Sequence, residues 1–304
     1  MEPLVGWSNS SGEIWATCPR LSDQQPRGAL SSMQNPSIIR VESVSRQFKA
    51  SGGRDIEALK DISLEIRKGE FVVIVGSSGC GKTTLLRIIA GLDRPTTGMV
   101  LISGRAITAP PPEAVFLFQD FSRSLLPWRT VLGNVAFAIE HRKGLTRHEI
   151  RERCRQHLDL VGLHGFERHS PRQLSGGMQQ RVTIARALVA EPQIILMDEP
   201  FGSVDALTRM GLQELLLRLW RARGFTVVLV THDVDEAVYL AQRILVMSPR
   251  PAVLSETIES NLPLDRDPIR TREDDRFIAA RHRLLGRLLM LGGGAAPGSE
   301  GVPP

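Results

Sequence analysis

The sequence predicts an α/β fold: a core with a mostly parallel sheet, into which a helical subdomain is inserted. Three observations lead there. FVVIVG from Phe71, VFLFQ, IILMD, TVVLV and RILVM are short apolar runs without alternation, the pattern of strands buried on both faces. Helical stretches separate several of them, which is the rhythm of a parallel sheet with crossovers. From about Ser122 to Arg172 the pattern is helical throughout and interrupts that rhythm.

Taken in order, residues 1–36 are rich in Ser, Pro, Gly, Asn and Gln and read as a disordered tail. The main domain is expected over residues 37–270, beginning with the strand-like IIRVESVSRQF and LKDISLEI. After FVVIVG a helix starts near Lys82. In the inserted region, spanning residues 122–172, LTRHEIRERCRQHLDLVGL opens on Thr146 with Glu149 three residues on, a capping box. Ile150, Cys154, Leu158 and Val161 recur at helical spacing, so Cys154 belongs to a packed stripe, and Gly162 suits the stop. Met178, Val182, Ala185 and Val189 mark one face of a further helix, ended by Glu191-Pro192. Residues 271–290, overlapping EDDRFIAARHRLLGRLLML, are expected to form a helix with leucines on one side and arginines on the other. Docking on its own domain and contact with a membrane surface or partner are both open to it. LGGGAAPGSEGVPP, residues 291–304, is a second flexible tail.

A chain of 304 residues with 42% hydrophobic and 23% charged residues is ordinary for a globular protein with a sizeable core. Cys18, Cys80 and Cys154 form no CxxC pair, which points away from a disulfide framework or a zinc site and toward a reducing compartment. The opening MEPLVGWSNSSGEIWATC has no basic start followed by an apolar run, so no secretory signal is expected. No apolar run reaches eighteen residues, so no membrane-spanning helix is expected. The net charge of +5 permits nucleic acid or an anionic membrane as a neighbour, but on charge alone a solvated arginine-rich surface is the better reading than either.

The chemistry lies at the strand ends. GSSGCGKTT from Gly76 fits G-x-x-x-x-G-K-[ST], between a strand and a helix. At average usage such a match arises by chance in roughly one chain of this length per hundred, before that context is counted. Gly76, Gly79 and Gly81, with Ser77, Ser78 and Cys80 between them, let the loop wrap phosphates with backbone N–H groups. Lys82 pairs the β- and γ-phosphates, and the Thr83 hydroxyl, next to Thr84, ligates Mg²⁺. IILMDEP runs four apolar residues into Asp198 and Glu199. Such a strand end is costly unless the charge has a partner. Asp198 suits Mg²⁺, and Glu199 suits a base that orients attacking water. In TVVLVTHD, His232 lies on the sheet edge where ligands bind and can reach the γ-phosphate or the water, while Asp233 and Glu236 can cap the next helix. Gln119, in FLFQD, stands at the end of another apolar strand, where it can reach metal or water. Phe48, near the first strand, can stack on adenine or simply pack.

LSGGMQQR, from Leu174 to Arg181, places Ser175, Gly176 and Gly177 at a helix start. Taken alone it reads equally as a second phosphate cradle with no lysine of its own or as a Gly-rich turn before an ordinary helix. One chain does not easily use both cradles on one ATP. Two chains facing each other can, each lending its serine–glycine cap to the other's nucleotide in a two-fold pair.

GSSGCGKTT, FQD, LSGGMQQR, LMDEP and VTHD, in that order, resemble the nucleotide-binding subunit of an ABC transporter, over about Ile38 to Leu289. The resemblance implies a P-loop NTPase core, an N-terminal antiparallel β subdomain and a helical subdomain. It implies a head-to-tail homodimer enclosing two ATPs with Mg²⁺. Lys82 and Thr83 then belong to the Walker A loop, Gln119 to the Q-loop, and Asp198 and Glu199 to Walker B. Asp205 is the D-loop aspartate, His232 the switch histidine and Phe48 the adenine-stacking aromatic. Gln119 joins Thr83 and Asp198 around the metal. Ser203-Val204-Asp205 departs mildly from the family's small-Leu-Asp, and PPPEAVFLFQ lacks the Arg-Gly that often precedes the glutamine. SLLPWRTVLGNV, DEPFGSVDA and THDVDEAVYLA resemble more narrowly the ATP-binding subunits of nitrate, sulfonate and taurine importers. That group implies integral membrane permease subunits, a substrate-binding protein and a peripheral place on the cytoplasmic face of the inner membrane. For the apolar segment Leu125 to Val131, docking a permease's coupling helix and packing of the helical subdomain are equally open. The competing reading is a soluble ABC ATPase acting on nucleic acid or ribosomes. A single phosphate loop and no long heptad run favour transport, with no nucleic acid expected.

Overall fold

A computed structural model of the chain describes residues 36–49, 55–120 and 124–292. The tails at residues 1–35 and 293–304, and with them Cys18, lie outside the described residues.

Two sheets carry the architecture. β1 (Ser37–Lys49) pairs antiparallel with β2 (Asp55–Arg67) and with β4 (Thr97–Ile102), which pairs with β5 (Arg105–Ala106). The second sheet has the order β10-β9-β3-β8-β7-β6, from β3 (Phe71–Val75), β6 (Ala114–Leu117), β7 (Ile194–Asp198), β8 (Thr226–Val230), β9 (Arg243–Met247) and β10 (Leu254–Glu259). All its pairings are parallel except β10 against β9. Every residue of β3, β7 and β8 is buried, which is why these strands read as unbroken apolar runs. Their side chains alternate between two cores. Phe71, Val73 and Val75 face the one shared with most of the helices. Val72 and Ile74 face the other, beneath β1, β2 and α1 (Lys82–Ile89).

Local sequence carries no warning of β4, β5 or β10. β4 begins on three exposed residues and β10 has a single buried one, so neither carries the apolar run that marks a buried strand.

Between Ser124 and Arg172 the described residues include the helices α2 (Val131–Ala136) and α3 (Arg147–Leu160), joined by turns. The Thr146–Glu149 capping box is formed, Cys154 and Leu158 are fully buried, and Gly162 at φ 74° ends the helix. Burial pushes the Cys154 thiol up to about 11, as suits a packing residue. Both helices pack on α4 (Gly176–Val189), which is buried on most of its faces and not only along the Met178–Val189 stripe. Leu125 and Val131 are buried, while Trp128 between them is 77% exposed. Asn134 fixes that turn, accepting from Leu126 N at 2.7 Å and donating to Leu126 O at 3.1 Å. The ends of the Leu125–Val131 segment therefore pack, and its middle faces outward.

α5 (Ala206–Arg223) ends on Gly224 at φ 69°. The shorter α6 (Val234–Leu240) ends under a buried cation: Arg266 donates to the carbonyls of Tyr239 and, at 2.8 Å, Ala241. Burial lowers that guanidinium to about 10. After α7 (Arg270–Glu273), helix α8 (Asp275–Gly292) runs two residues beyond the expected end at 290. It docks on its own chain through Phe277 and Leu284, and Arg281, Arg283 and Arg287 pair with Asp235 and Glu256.

Candidate active site

β3 delivers the chain into the Gly76–Gly81 loop, and α1 leaves it at Lys82. Two glycines are enforced by close approach. A Cβ on Gly76 would lie 2.9 Å from the Met247 carbonyl, and one on Gly81, at φ 125°, would lie 3.1 Å from that of Ala58. Ser77, Ser78 and Gly79 are exposed, whereas the Cys80 side chain is buried, so Cys80 offers a ligand only backbone. Lys82 is 5% exposed, and its ammonium donates to Gly76 O at 2.9 Å and Ser77 O at 3.0 Å. A buried cation resting on two carbonyls, encircled by a loop, is a socket for an anion.

The Thr83 hydroxyl, one residue on, donates to Asp198 Oδ1 at 3.0 Å. Thr84, the next residue, is half-buried. Asp198 ends β7 and is 6% exposed; burial raises its pKa, with the Thr83 hydrogen bond opposing. A hydroxyl and a carboxylate facing each other there form a hard-oxygen donor set.

Glu199 follows with φ 43°, in the left-handed region that a glutamate rarely adopts. Its N–H donates to Val230 O at 2.9 Å, which holds the strained turn. The turn swings the carboxylate to where three strand ends converge. Oε2 accepts from Gln119 Nε2 at 2.9 Å, and Oε1 lies 3.0 Å from His232 Nδ1. With Glu199 ionised, the His232 proton sits on Nδ1 and leaves Nε2 for other work. β6, β7 and β8 thus bring together three residues spread over more than a hundred positions in sequence.

Asp233 accepts from Glu236 N at 3.0 Å, capping α6 as its type suggests. Glu236 itself is buried against Gln213 at 3.0 Å. Sequence reasoning missed Arg209, which donates to Asp233 Oδ2 at 3.2 Å and Val204 O at 3.4 Å. It ties the turn before α5 to the turn carrying His232. It also missed Gln180, whose side-chain amide donates to Pro200 O at 2.9 Å and links α4 to the Glu199 turn. Neither contact leaves a mark in local spacing.

Phe48 is half-exposed, with the Arg46 guanidinium 4.6 Å from its ring centre. It pairs with Ile56, two residues before the Ala58 that abuts Gly81, so it flanks the phosphate loop.

Ser175 and Gly176 are exposed at the start of α4, where Ser175 Oγ accepts from Met178 N at 3.3 Å. Gly177 is buried, and a Cβ there would meet Thr208 Cγ2 at 2.3 Å. This glycine is demanded by packing against α5. Asp205 caps α5, accepting from Thr208 N at 3.0 Å, so the Ser175 cap and Asp205 share one edge. Among the described residues, no hydrogen bond joins that edge to the Gly76–Gly81 loop.

Comparison with known proteins agrees with this geometry. Residues 59–202 match the family described as ABC transporter. An uncharacterized ABC transporter ATP-binding protein from Methanocaldococcus jannaschii is 46% identical over 82% of this chain and 91% of its own length. An aliphatic sulfonates import ATP-binding protein from Bacillus cereus is 43% identical over 81% of this chain and 94% of its own. A nitrate import ATP-binding protein from Synechococcus elongatus is 43% identical, but this chain spans only 38% of its length. Among solved structures, a dimeric ATP-binding cassette in a post-hydrolysis state with ADP and Pi superposes with TM-score 0.64 at 36% identity, covering 73% of this chain and 98% of that one. The chain belongs to the ABC transporter family, as an ATP-binding cassette that hydrolyses ATP.

Proposed function

We propose that the chain is the ATP-hydrolysing subunit of an importer for a small solute of the nitrate, sulfonate or taurine kind, working on separate membrane subunits from the cytoplasmic face of the inner membrane. The observation that carries the reading is the Glu199 carboxylate held between Gln119 and His232, beside the Thr83–Asp198 pair and the Lys82 loop. Lys82 and the N–H groups of Gly76–Thr84 hold the phosphates, and Phe48 stacks on the adenine. Thr83 and Asp198 would hold Mg²⁺, with Gln119, whose amide nitrogen faces Glu199, offering its oxygen; a metal there would supply neutralisation of phosphate charge. Glu199 accepts a proton from water aligned on the γ-phosphorus, and His232 steadies the γ-phosphate through Nε2. Ser175, Gly176, Gly177 and Asp205 act on the nucleotide of a second copy, so the working unit is a homodimer.

Transport needs a lever to the membrane. No described helix is long and apolar enough to cross one. A groove of about 690 Å³ opens beside Gln119, lined by Phe116, Phe118, Phe137, Ala138 and Arg186. With exposed Trp128 nearby in sequence, it suits a helix presented by a permease subunit. A substrate-binding protein completes such a system. Reconstitution in vesicles with candidate permease subunits of that importer group tests the reading. ATPase activity is expected to rise on adding permease and binding protein with solute. Stimulation by DNA or ribosomes instead would select a soluble ATPase.

A further inference from the structure

The turn at residues 248–253, between β9 and β10, is fastened at every side. Ser248 N donates to Val253 O at 3.0 Å, and Val253 N donates to Ser248 Oγ at 3.0 Å. Ala252 N donates to Ala58 O at 3.1 Å, and Lys60 N donates to Ala252 O at 2.9 Å, stitching the turn to β2. The same Ala58 carbonyl abuts Gly81, and the Met247 carbonyl ahead of the turn abuts Gly76. The turn is thus braced against both ends of the phosphate loop. From it Arg250 extends along the loop, with Nη2 3.9 Å from where a Cβ on Gly79 would stand.

Arg250 is exposed, and among the described residues it has no hydrogen bond or ion pair. By contrast, Lys82 is committed to the loop carbonyls, Arg87 to Asp93 and Arg209 to Asp233. The strand order decides which part of a ligand it faces. Gln119, Glu199 and His232 follow β6, β7 and β8, on one side of β3. Arg250 follows β9, on the other side, and is stitched to the strand that pairs with Phe48.

We propose that Arg250 binds the α-phosphate end of the bound nucleotide, opposite the γ end where Glu199 and His232 stand. This rests on ATP occupying the Lys82 loop. A guanidinium suits that contact, because it is always charged and its fork of donors matches phosphate oxygens. ATP and ADP share the α end, so such a contact serves both equally.

Calorimetric titration with MgATP and MgADP tests it on Arg250→Ala, Arg250→Lys and, as control, Lys82→Ala. Arg250→Ala is expected to weaken both nucleotides about tenfold, with their affinity ratio unchanged. Arg250→Lys should recover most of the loss, and the melting midpoint of nucleotide-free Arg250→Ala should match wild type. If Arg250→Ala binds as wild type while Lys82→Ala does not, the Arg250 assignment is wrong and the pocket stands. If Lys82→Ala also binds as wild type, both readings fall. A loss confined to ATP would move the guanidinium to the γ end, and a lowered nucleotide-free midpoint would make it structural; either overturns the proposal.

Discussion

Two glycine-rich helix starts in this chain, at Lys82 and Ser175, are finished differently. At Lys82 the cradle is complete: glycines forced by close approach, a buried ammonium, and an acid–hydroxyl pair one residue away. At Ser175 the cradle is exposed, has no cation, and spends its serine hydroxyl on capping its own helix. The contrast teaches that identical local physics, free N–H groups at a helix N-terminus, serves different owners according to what surrounds it. The first is furnished by its own chain. The second makes sense on the nucleotide of a facing copy.

Several experiments break or sharpen that contrast. The largest effect is expected at the complete cradle: Glu199→Gln should slow hydrolysis by roughly 10²- to 10⁴-fold in steady-state assays while ATP still binds. Undiminished turnover would remove Glu199 as the base. Next, Lys82→Ala should weaken ATP binding about ten- to a hundredfold, since a buried charge-assisted contact is lost. Ser175→Arg should leave the Kd of a single chain for ATP within about twofold, as the site lies off its own pocket. It should abolish ATP-driven pairing in sedimentation, and dimers forming as before would return the cap to its own chain. Gly177→Ala should cost ~1–3 kcal/mol in denaturant melts through the clash with Thr208 Cγ2. Thr208→Ser removes that methyl and should restore stability; failure to do so would give Gly177 a role beyond packing.

The smallest effect concerns His157, buried on α3. Its Nδ1 donates to Arg153 O at 2.8 Å, while Nε2 has no partner among the described residues. Burial lowers its pKa, so the folded chain holds fewer protons here than the unfolded chain does. Its stability contribution is full above the unfolded histidine's pKa and is lost as pH falls from there through the lower folded one. Urea melts below neutral pH should weaken with acid, and His157→Leu should flatten that slope.

Legibility followed the kind of interaction. Strands buried on both faces announced themselves, as did the Thr146–Glu149 cap, because both write their cause into adjacent residues. β4 and β10 stayed silent because strands with few buried residues owe their place to pairing, which leaves little trace in local hydrophobicity. The site divides the same way. Gly76–Thr83, Asp198 and Glu199 were readable as contiguous motifs. The Gln119–Glu199–His232 convergence depended on strand order, and Arg209, Gln180 and Arg250 depended on turns meeting in space. Gly177 was readable as a glycine but not for its reason, since Thr208 lies thirty-one positions away.

Arg266 carries a practical consequence for anyone shortening this protein. A version cut just ahead of it would strip the cation from the Tyr239 and Ala241 oxygens. The helix so uncapped starts two residues after His232. Deleting the C-terminal stretch would therefore loosen the helix on which the His232 turn is mounted, so a truncation meant to isolate the cassette would reach the strand end that carries the proposed site.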